Sequence, residues 1–247
     1  MKSKVLFLLV RTSIPIIIYT LLLAPFIIMT APFSRNRVPS YYLGKFWSWL
    51  ILKTNGVKLV THGMDNLSKK QSYVFISNHL SHLDTPALAI ALPNQLRFVA
   101  KASLQNIPLF GFAARMAKMI FIDRDNSEKS IETINKTIKD LKNGISVLFF
   151  GEGTRSIDGE IKPLKKGGVI LALKAGLPIV PITIVGSDRL LGSGKLYVKS
   201  GIINIIAGDP IDTRDYSEQT IDTLVEKIQS VMLANYKKYA ENHLNPS

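Results

Sequence analysis

Hydrophobic positions along the chain follow three patterns. From 12 to 33 the sequence TSIPIIIYTLLLAPFIIMTAPF carries no charge over 22 residues, enough for a straight helix to cover the roughly 30 Å hydrocarbon core of a bilayer. The next stretch, 41–53 (YYLGKFWSWLILK), holds both tryptophans and has lysines toward its ends, the composition of a helix lying at headgroup level. Beyond Gly56, short apolar runs alternate with amphipathic ones. The runs at 73–77, 96–100, 119–122, 145–150, 178–185 and 202–207 are β-branched and bounded by turn residues, and predict buried strands. Between them, 127–143 predicts a helix with Ile131, Ile134, Ile138 and Leu141 on one face, Ser127 as N-cap and Gly144 as its stop. A second helix is predicted from Glu218 to about Glu241, with Ile221, Leu224, Ile228 and Val231 on its face. This alternation implies an α/β fold, a layered sheet flanked by helices, preceded by an N-terminal helical membrane-anchoring hairpin. The expected division is a membrane-associated segment over 1–58 and an α/β domain over 59–247.

Pro15, Pro25 and Pro32 are expected to interrupt the apolar run, leaving 16–24 unbroken, which covers only part of a bilayer. Basic residues flank the run on both sides, and the preference of Lys and Arg for the cytoplasmic side holds both ends there. A shallow or re-entrant hairpin is therefore expected over a simple span. A secretory signal is the rival, but the run is longer than an ordinary h-region and no small-x-small cleavage site precedes the aromatic stretch. Charge strengthens the membrane reading. Of a net +13, the segment before Asp65 contributes eight basic residues and no acidic one, as suits an anionic lipid surface. The absence of cysteine excludes disulfide scaffolds, zinc ribbons and thiol nucleophiles, and 47% hydrophobic residues exclude disorder.

Candidate chemistry concentrates in two windows. In 77–88, SNHLSHLDTPAL, Pro86 favours the first turn of a helix, placing Asp84 or Thr85 at its N-cap and His79 in the loop before it. Residues five apart point away from each other on a continuous helix. A strand-to-helix turn instead lets the Asp84 carboxylate reach one nitrogen of His79 while the other faces a substrate. Such a pair is a base with its orienting carboxylate but no protein nucleophile, so the substrate must supply a hydroxyl. The alternative is that Asp84 only caps the helix and His79 and His82 are loop side chains. A metal site on His79, His82 and Asp84 lacks further ligands, since only His62 and His243 remain, and neither metal nor cofactor is expected.

The second window, 149–156 (FFGEGTRS), follows a strand. Gly151 and Gly153 allow close backbone approach to an anion, Thr154 and Ser156 offer hydroxyls, and Arg155 offers a planar fork suited to phosphate. Glu152 suits a hydroxyl, or holds Arg155 in place. Lys101 and Arg124 each follow a predicted strand; in one parallel sheet they would share the ligand-binding edge.

These blocks resemble the glycerolipid acyltransferases, and within them the bacterial 1-acylglycerol-3-phosphate (lysophosphatidate) acyltransferases. The resemblance rests on NHLSHLD, the family's N-H-x4-D, on FIDR ending at Arg124, on FGEGTRS and on the VPI at 180–182, in that order. It implies transfer of a fatty acyl group from a thioester, on coenzyme A or acyl carrier protein, to the 2-hydroxyl of lysophosphatidate, giving phosphatidate. It implies that His79 is the general base and Asp84 its support. It associates Arg124, Glu152, Gly153, Thr154 and Arg155 with the phosphate-bearing acceptor, and Lys101 with them as an addition. No covalent acyl-enzyme is implied; the expected setting is the cytoplasmic face of the inner membrane, among anionic lipid. Gly151 departs from the family's usual proline, which should loosen the loop slightly, and His82 replaces an aromatic residue. The rivals are another acceptor, such as glycerol-3-phosphate or a different lysophospholipid, and a non-catalytic basic protein binding membrane or nucleic acid. Clustering of aromatic residues in the apolar segment, instead of along a basic face, argues against nucleic acid.

Overall fold

The computed structural model describes residues 2–123, 127–156 and 158–244. Two helices come first: α1, Lys2–Thr30, and α2, Val38–Thr54, joined through a 3-10 turn at Ala31–Phe33. The expected interruption does not occur at Pro15 or Pro25, both of which lie inside α1; only Pro32 falls in the turn. Each internal proline forfeits one intrahelical hydrogen bond, and α2 holds α1 along its length. Thr12 Oγ1 donates to Asn55 Oδ1 at 2.9 Å, Tyr19 and Thr54 hydroxyls meet at 2.8 Å, Trp47 Nε1 donates to Thr20 Oγ1 at 3.1 Å, and Ser40 Oγ donates to the Ile27 carbonyl at 3.1 Å. Trp47 is thus turned toward α1, and Trp49 is the exposed tryptophan, stacked on Phe46 with Lys53 over its ring.

The remaining elements are β1 Val57–His62, β2 Val74–Ser77, α3 Asp84–Ala91, β3 Gln95–Lys101, α4 Phe110–Met116, β4 Ile120–Ile122, α5 Ser127–Ile138, β5 Ile145–Phe150, α6 Gly167–Ala175, β6 Ile179–Val185, α7 Ser187–Leu190, β7 Gly201–Ala207 and α8 Ile221–Leu244. They form one seven-stranded sheet in the order β1-β7-β6-β2-β5-β3-β4. Strands β2 to β6 are mutually parallel, whereas β7 runs antiparallel to β6 and carries β1 parallel to itself. Strand β1 was not expected; its Lys58, Val60 and Thr61 are exposed at the sheet edge.

Two apolar layers cover the sheet. Val74, Ile76, Val147 and Ile179 pack with Val169 and Leu171 of α6 and Leu224, Ile228 and Met232 of α8 on one face. Phe75, Leu148, Val180 and Ile182 pack with Leu52 of α2 and Ala87 and Leu88 of α3 on the other. Helix α5 is shorter than its pattern: it ends at Ile138, and Leu141 enters the core from a turn closed by Asn143 and Gly144, both at positive φ. A 3-10 turn at Glu218–Thr220 begins the last helix, which buries Ile221, Leu224 and Ile228 as expected but leaves Val231 only partly covered.

Candidate active site

Because β2, β5, β3 and β4 are adjacent and parallel, the loops after them emerge along one edge, where open α/β sheets present ligand sites. His79 follows β2, and the loop holding Glu152 to Arg155 follows β5 in the next position. Lys101 ends β3 one strand further on. Arg124 follows β4 in sequence and lies outside the described residues.

The fully buried Asp84 is the first residue of α3, with Leu83 at the N-cap position, so the helix starts one residue earlier than a capping Asp84 requires. Its carboxylate nonetheless serves the turn before it. Oδ2 accepts the backbone N–H of Leu80 at 2.7 Å and of Ser81 at 2.8 Å, and lies 2.8 Å from Nδ1 of His79. A carboxylate acceptor fixes the proton on Nδ1 and leaves Nε2 with a free lone pair. The ring is also held by its face: Phe150, the last residue of β5, stacks on it with centroids 3.8 Å apart and planes 15° apart. Asn78, buried beside it, clamps the loop to β6, its Nδ2 donating to the Ile184 carbonyl at 2.9 Å and its Oδ1 accepting the Ile184 N–H at 2.8 Å.

The β5 loop is fastened to the same segment. Gly151 N–H donates to the Ser77 carbonyl at 2.8 Å and Ser156 N–H to the His79 carbonyl at 2.7 Å. Lys165 N–H donates to the Gly151 carbonyl at 2.8 Å. At Gly151, where the family usually has proline, the N–H that proline would lack is in use. A Cβ there would sit 2.7 Å from Leu164 Cδ2 and 2.9 Å from Ile76 Cγ2. Gly153 does need its freedom, with φ at +74°.

Glu152 turns inward. Only 4% exposed, it accepts the backbone N–H of His79 through Oε1 at 3.1 Å. Burial pushes its pKa up to about 7, against the pull of the His79 and Lys162 backbone N–H groups and the Lys162 charge. Its neighbours Thr154 and Arg155 face outward, Thr154 exposed and Arg155 partly so. The pKa of His82 is lowered first by desolvation of its ring against the loop, then by the charges of Arg155 and His79. His79, Asp84 and Glu152 are thus joined directly, and Arg155 stands three residues after Glu152 in the loop that follows β5. Lys101 shares their edge, exposed, and no hydrogen bond or ion pair joins it to them among the described residues. Sequence reasoning missed Asn78 and Phe150 as supports, although both stand inside the windows it selected. Their contacts come from β6 and β2 neighbours that only the fold supplies.

Chemically, a free imidazole nitrogen backed by a buried carboxylate removes a proton from a bound hydroxyl, and an outward Arg beside it suits an anionic acceptor. A family model described as Acyltransferase matches residues 58–185. The chain is 31% identical over 189 residues to the chloroplastic 1-acyl-sn-glycerol-3-phosphate acyltransferase of Brassica napus, covering 76% of this chain and 54% of that one. It is 31% identical over 186 residues to the 1-acyl-sn-glycerol-3-phosphate acyltransferase of Saccharomyces cerevisiae, covering 74% of this chain and 61% of that one. The chain therefore spans about half the length of the chloroplastic relatives. The crystal structure of the 1-acyl-sn-glycerophosphate acyltransferase of Thermotoga maritima shares the fold, with a TM-score of 0.80 at 22% identity over 96% of this chain and 97% of that one.

Proposed function

Because this chain belongs to the acyltransferase family, we propose that it moves a fatty acyl group from an acyl thioester to the 2-hydroxyl of 1-acylglycerol-3-phosphate, forming phosphatidate. The observation that carries the mechanism is the 2.8 Å contact between His79 Nδ1 and Asp84 Oδ2, with Nε2 left free. His79 takes the acceptor's hydroxyl proton as its oxygen bonds to the thioester carbonyl carbon. Collapse of the tetrahedral intermediate breaks the carbon–sulfur bond, and the imidazolium returns the proton to the departing thiolate. Asp84 stabilises the imidazolium between these steps. Atoms balance as thioester plus alcohol giving ester plus thiol, and the chain needs no nucleophile of its own.

Arg155, with Thr154 and Gly153 beside it and Lys101 at the end of the next strand, is the acceptor's phosphate site, and the family resemblance gives Arg124 the same role. Glu152 supports the His79 loop from within. The donor is acyl-coenzyme A or acyl carrier protein, and the relatives' printed names support lysophosphatidate as acceptor. Both substrates bring acyl chains that partition into lipid. Helix α1, extended by its 3-10 turn, is the one helix among the described residues long and apolar enough to cross a membrane by length and composition. Its outer face exposes Leu6, Phe7, Val10, Ile14, Ile17 and Leu21, among others. We place the outer face of the α1–α2 hairpin in the cytoplasmic leaflet of the inner membrane, bearing the α/β domain, whose sheet begins with β1, on its cytoplasmic side.

The test is product identification with purified protein in lipid. Equal lysophosphatidate and glycerol-3-phosphate compete for an acyl-coenzyme A donor, and then for an acyl-carrier-protein donor. Phosphatidate as the dominant product is expected from at least one donor. Dominant acylation of glycerol-3-phosphate would reassign the acceptor, and no transfer from either donor by folded protein would overturn the reading.

A further inference from the structure

We propose that the loop 191–199, between α7 and β7, is a second lipid-contacting element that docks on an anionic bilayer surface beside α1. The inference rests on the membrane reading of α1 given above. Its sequence, LGSGKLYVK, carries Lys195 and Lys199 and no acidic residue. Leu196 between them is 74% exposed; among the large apolar side chains of the described residues only Phe33, at the turn of the hairpin, exceeds it at 87%. A large apolar side chain held in water between two lysines is the composition of a lipid-docking finger: the apolar tip enters the acyl boundary while the ammonium groups meet anionic headgroups.

Placement supports that occupant, because the loop is continuous with the apolar hairpin. Buried Val198 is a peg fastened to α1 on both sides of its peptide: its carbonyl accepts Arg11 Nη2 at 2.8 Å and its N–H donates to Thr12 Oγ1 at 3.0 Å. Arg11 Nη1 also donates to Ser200 Oγ at 3.3 Å. The neck is closed by Lys199 N–H on the Leu190 carbonyl at 2.8 Å. These bonds fix the finger next to the segment of α1 that exposes Leu6, Phe7, Val10 and Ile14.

At its other end the loop touches the catalytic turn. Ser81 Oγ donates to the Leu191 carbonyl at 2.7 Å, and the Ser81 N–H is one of the donors to Asp84 Oδ2. A finger seated in lipid therefore gives the His79 turn a second tether to the bilayer, besides the hairpin. Two tethers set the height and tilt of the site over the surface from which both acyl chains arrive.

The chain has no cysteine, so a single introduced thiol reports one place. Full-length Leu196→Cys, Phe26→Cys on α1 and Lys174→Cys on α6, on the sheet face away from the hairpin, are each labelled with an environment-sensitive fluorophore. They are reconstituted into phosphatidylcholine vesicles containing phosphatidylglycerol, with nitroxide-bearing lipids as quenchers. Quenching and a blue shift are expected at 196 and 26 and not at 174, with the effect at 196 weakened when phosphatidylglycerol is omitted. A probe at 196 as unquenched as that at 174, with 26 quenched, would overturn the inference while sparing the membrane reading. No quenching at 26 either would remove both. Independently of labelling, Leu196→Asp is expected to slow transfer to a vesicle-borne long-chain acceptor while sparing a short-chain soluble one. Equal rates for variant and wild type on vesicles would count against the finger.

Discussion

Phe150 lies flat on the imidazole of His79, with 3.8 Å between ring centroids and 15° between planes. Together with the Asp84 contact on Nδ1, this leaves the ring neither rotation nor tilt, so Nε2 has one direction in which to act. A flat aromatic partner also holds the ring plane in place, an aromatic contact worth about 1 kcal/mol. Phe150→Leu is therefore expected to lower kcat roughly fivefold with little change in KM for either substrate. Phe150→Tyr should restore most of the rate. Steady-state kinetics on the three proteins check it; a rise in KM alone would make Phe150 part of a binding surface instead.

Asp84→Asn keeps the size of the side chain and the acceptor for the Leu80 and Ser81 N–H groups, but removes the charge behind His79. Turnover is expected to fall by about a hundred- to ten-thousandfold, with the folded state retained. Circular dichroism beside single-turnover rates distinguishes this from unfolding.

How much of this was legible beforehand depends on the range of the interactions involved. Six of the seven strands read correctly because they are short, apolar and bounded by turns, the local signature of a buried strand. Strand β1 did not, since an edge strand bearing Lys58 and Thr61 has no such signature. The reversal of β7 was likewise hidden, because strand direction is set by the path of 186–200 and not by the composition of the strand. Continuity of α1 through Pro15 and Pro25 depends on bonds from Asn55, Thr54, Trp47 and Ser40, all remote in sequence. At the site, the spacing of His79 and Asp84 announced their contact, since a turn of that length closes on itself. Glu152 was read as facing a hydroxyl or Arg155, whereas the fold aims its carboxylate at the His79 backbone.

Glu152 gives a pH signature. Its pKa is raised by burial to about 7 from an ordinary 4.5, so the native state holds a proton that the unfolded chain releases between those values. Stability from this group is therefore full below the unfolded pKa and declines as pH rises to about 7. Glu152→Gln cannot ionise, and its Tm relative to wild type is expected to be higher at pH 8 than at pH 5. Thermal unfolding at the two pH values measures the difference, and a constant offset would place Glu152 in a solvated setting.

Gly151→Pro tests the fastening of the loop. It removes the donor to the Ser77 carbonyl and sets a ring against Leu164 and Ile76. A loss of about 2 kcal/mol is expected, seen as a Tm lower by about 4–8 °C. An unchanged Tm would mean that the neighbours yield without cost.

Arg155→Ala is expected to raise KM for lysophosphatidate by about ten- to a hundredfold, the range of a charge-assisted hydrogen bond, with a smaller effect on kcat. KM for the acyl thioester should move little, and Arg155→Lys should recover part of the loss. Equal rises for acceptor and donor would place Arg155 outside the phosphate site.

General-base catalysis by His79 is tested most directly by phosphatidate formation at saturating lysophosphatidate and acyl thioester, wild type beside His79→Ala, with the fold of both verified. A fall in turnover of about a hundred- to ten-thousandfold with KM nearly unchanged is the expected result. Near wild-type turnover in His79→Ala would contradict the assignment and require the proton to leave by another route.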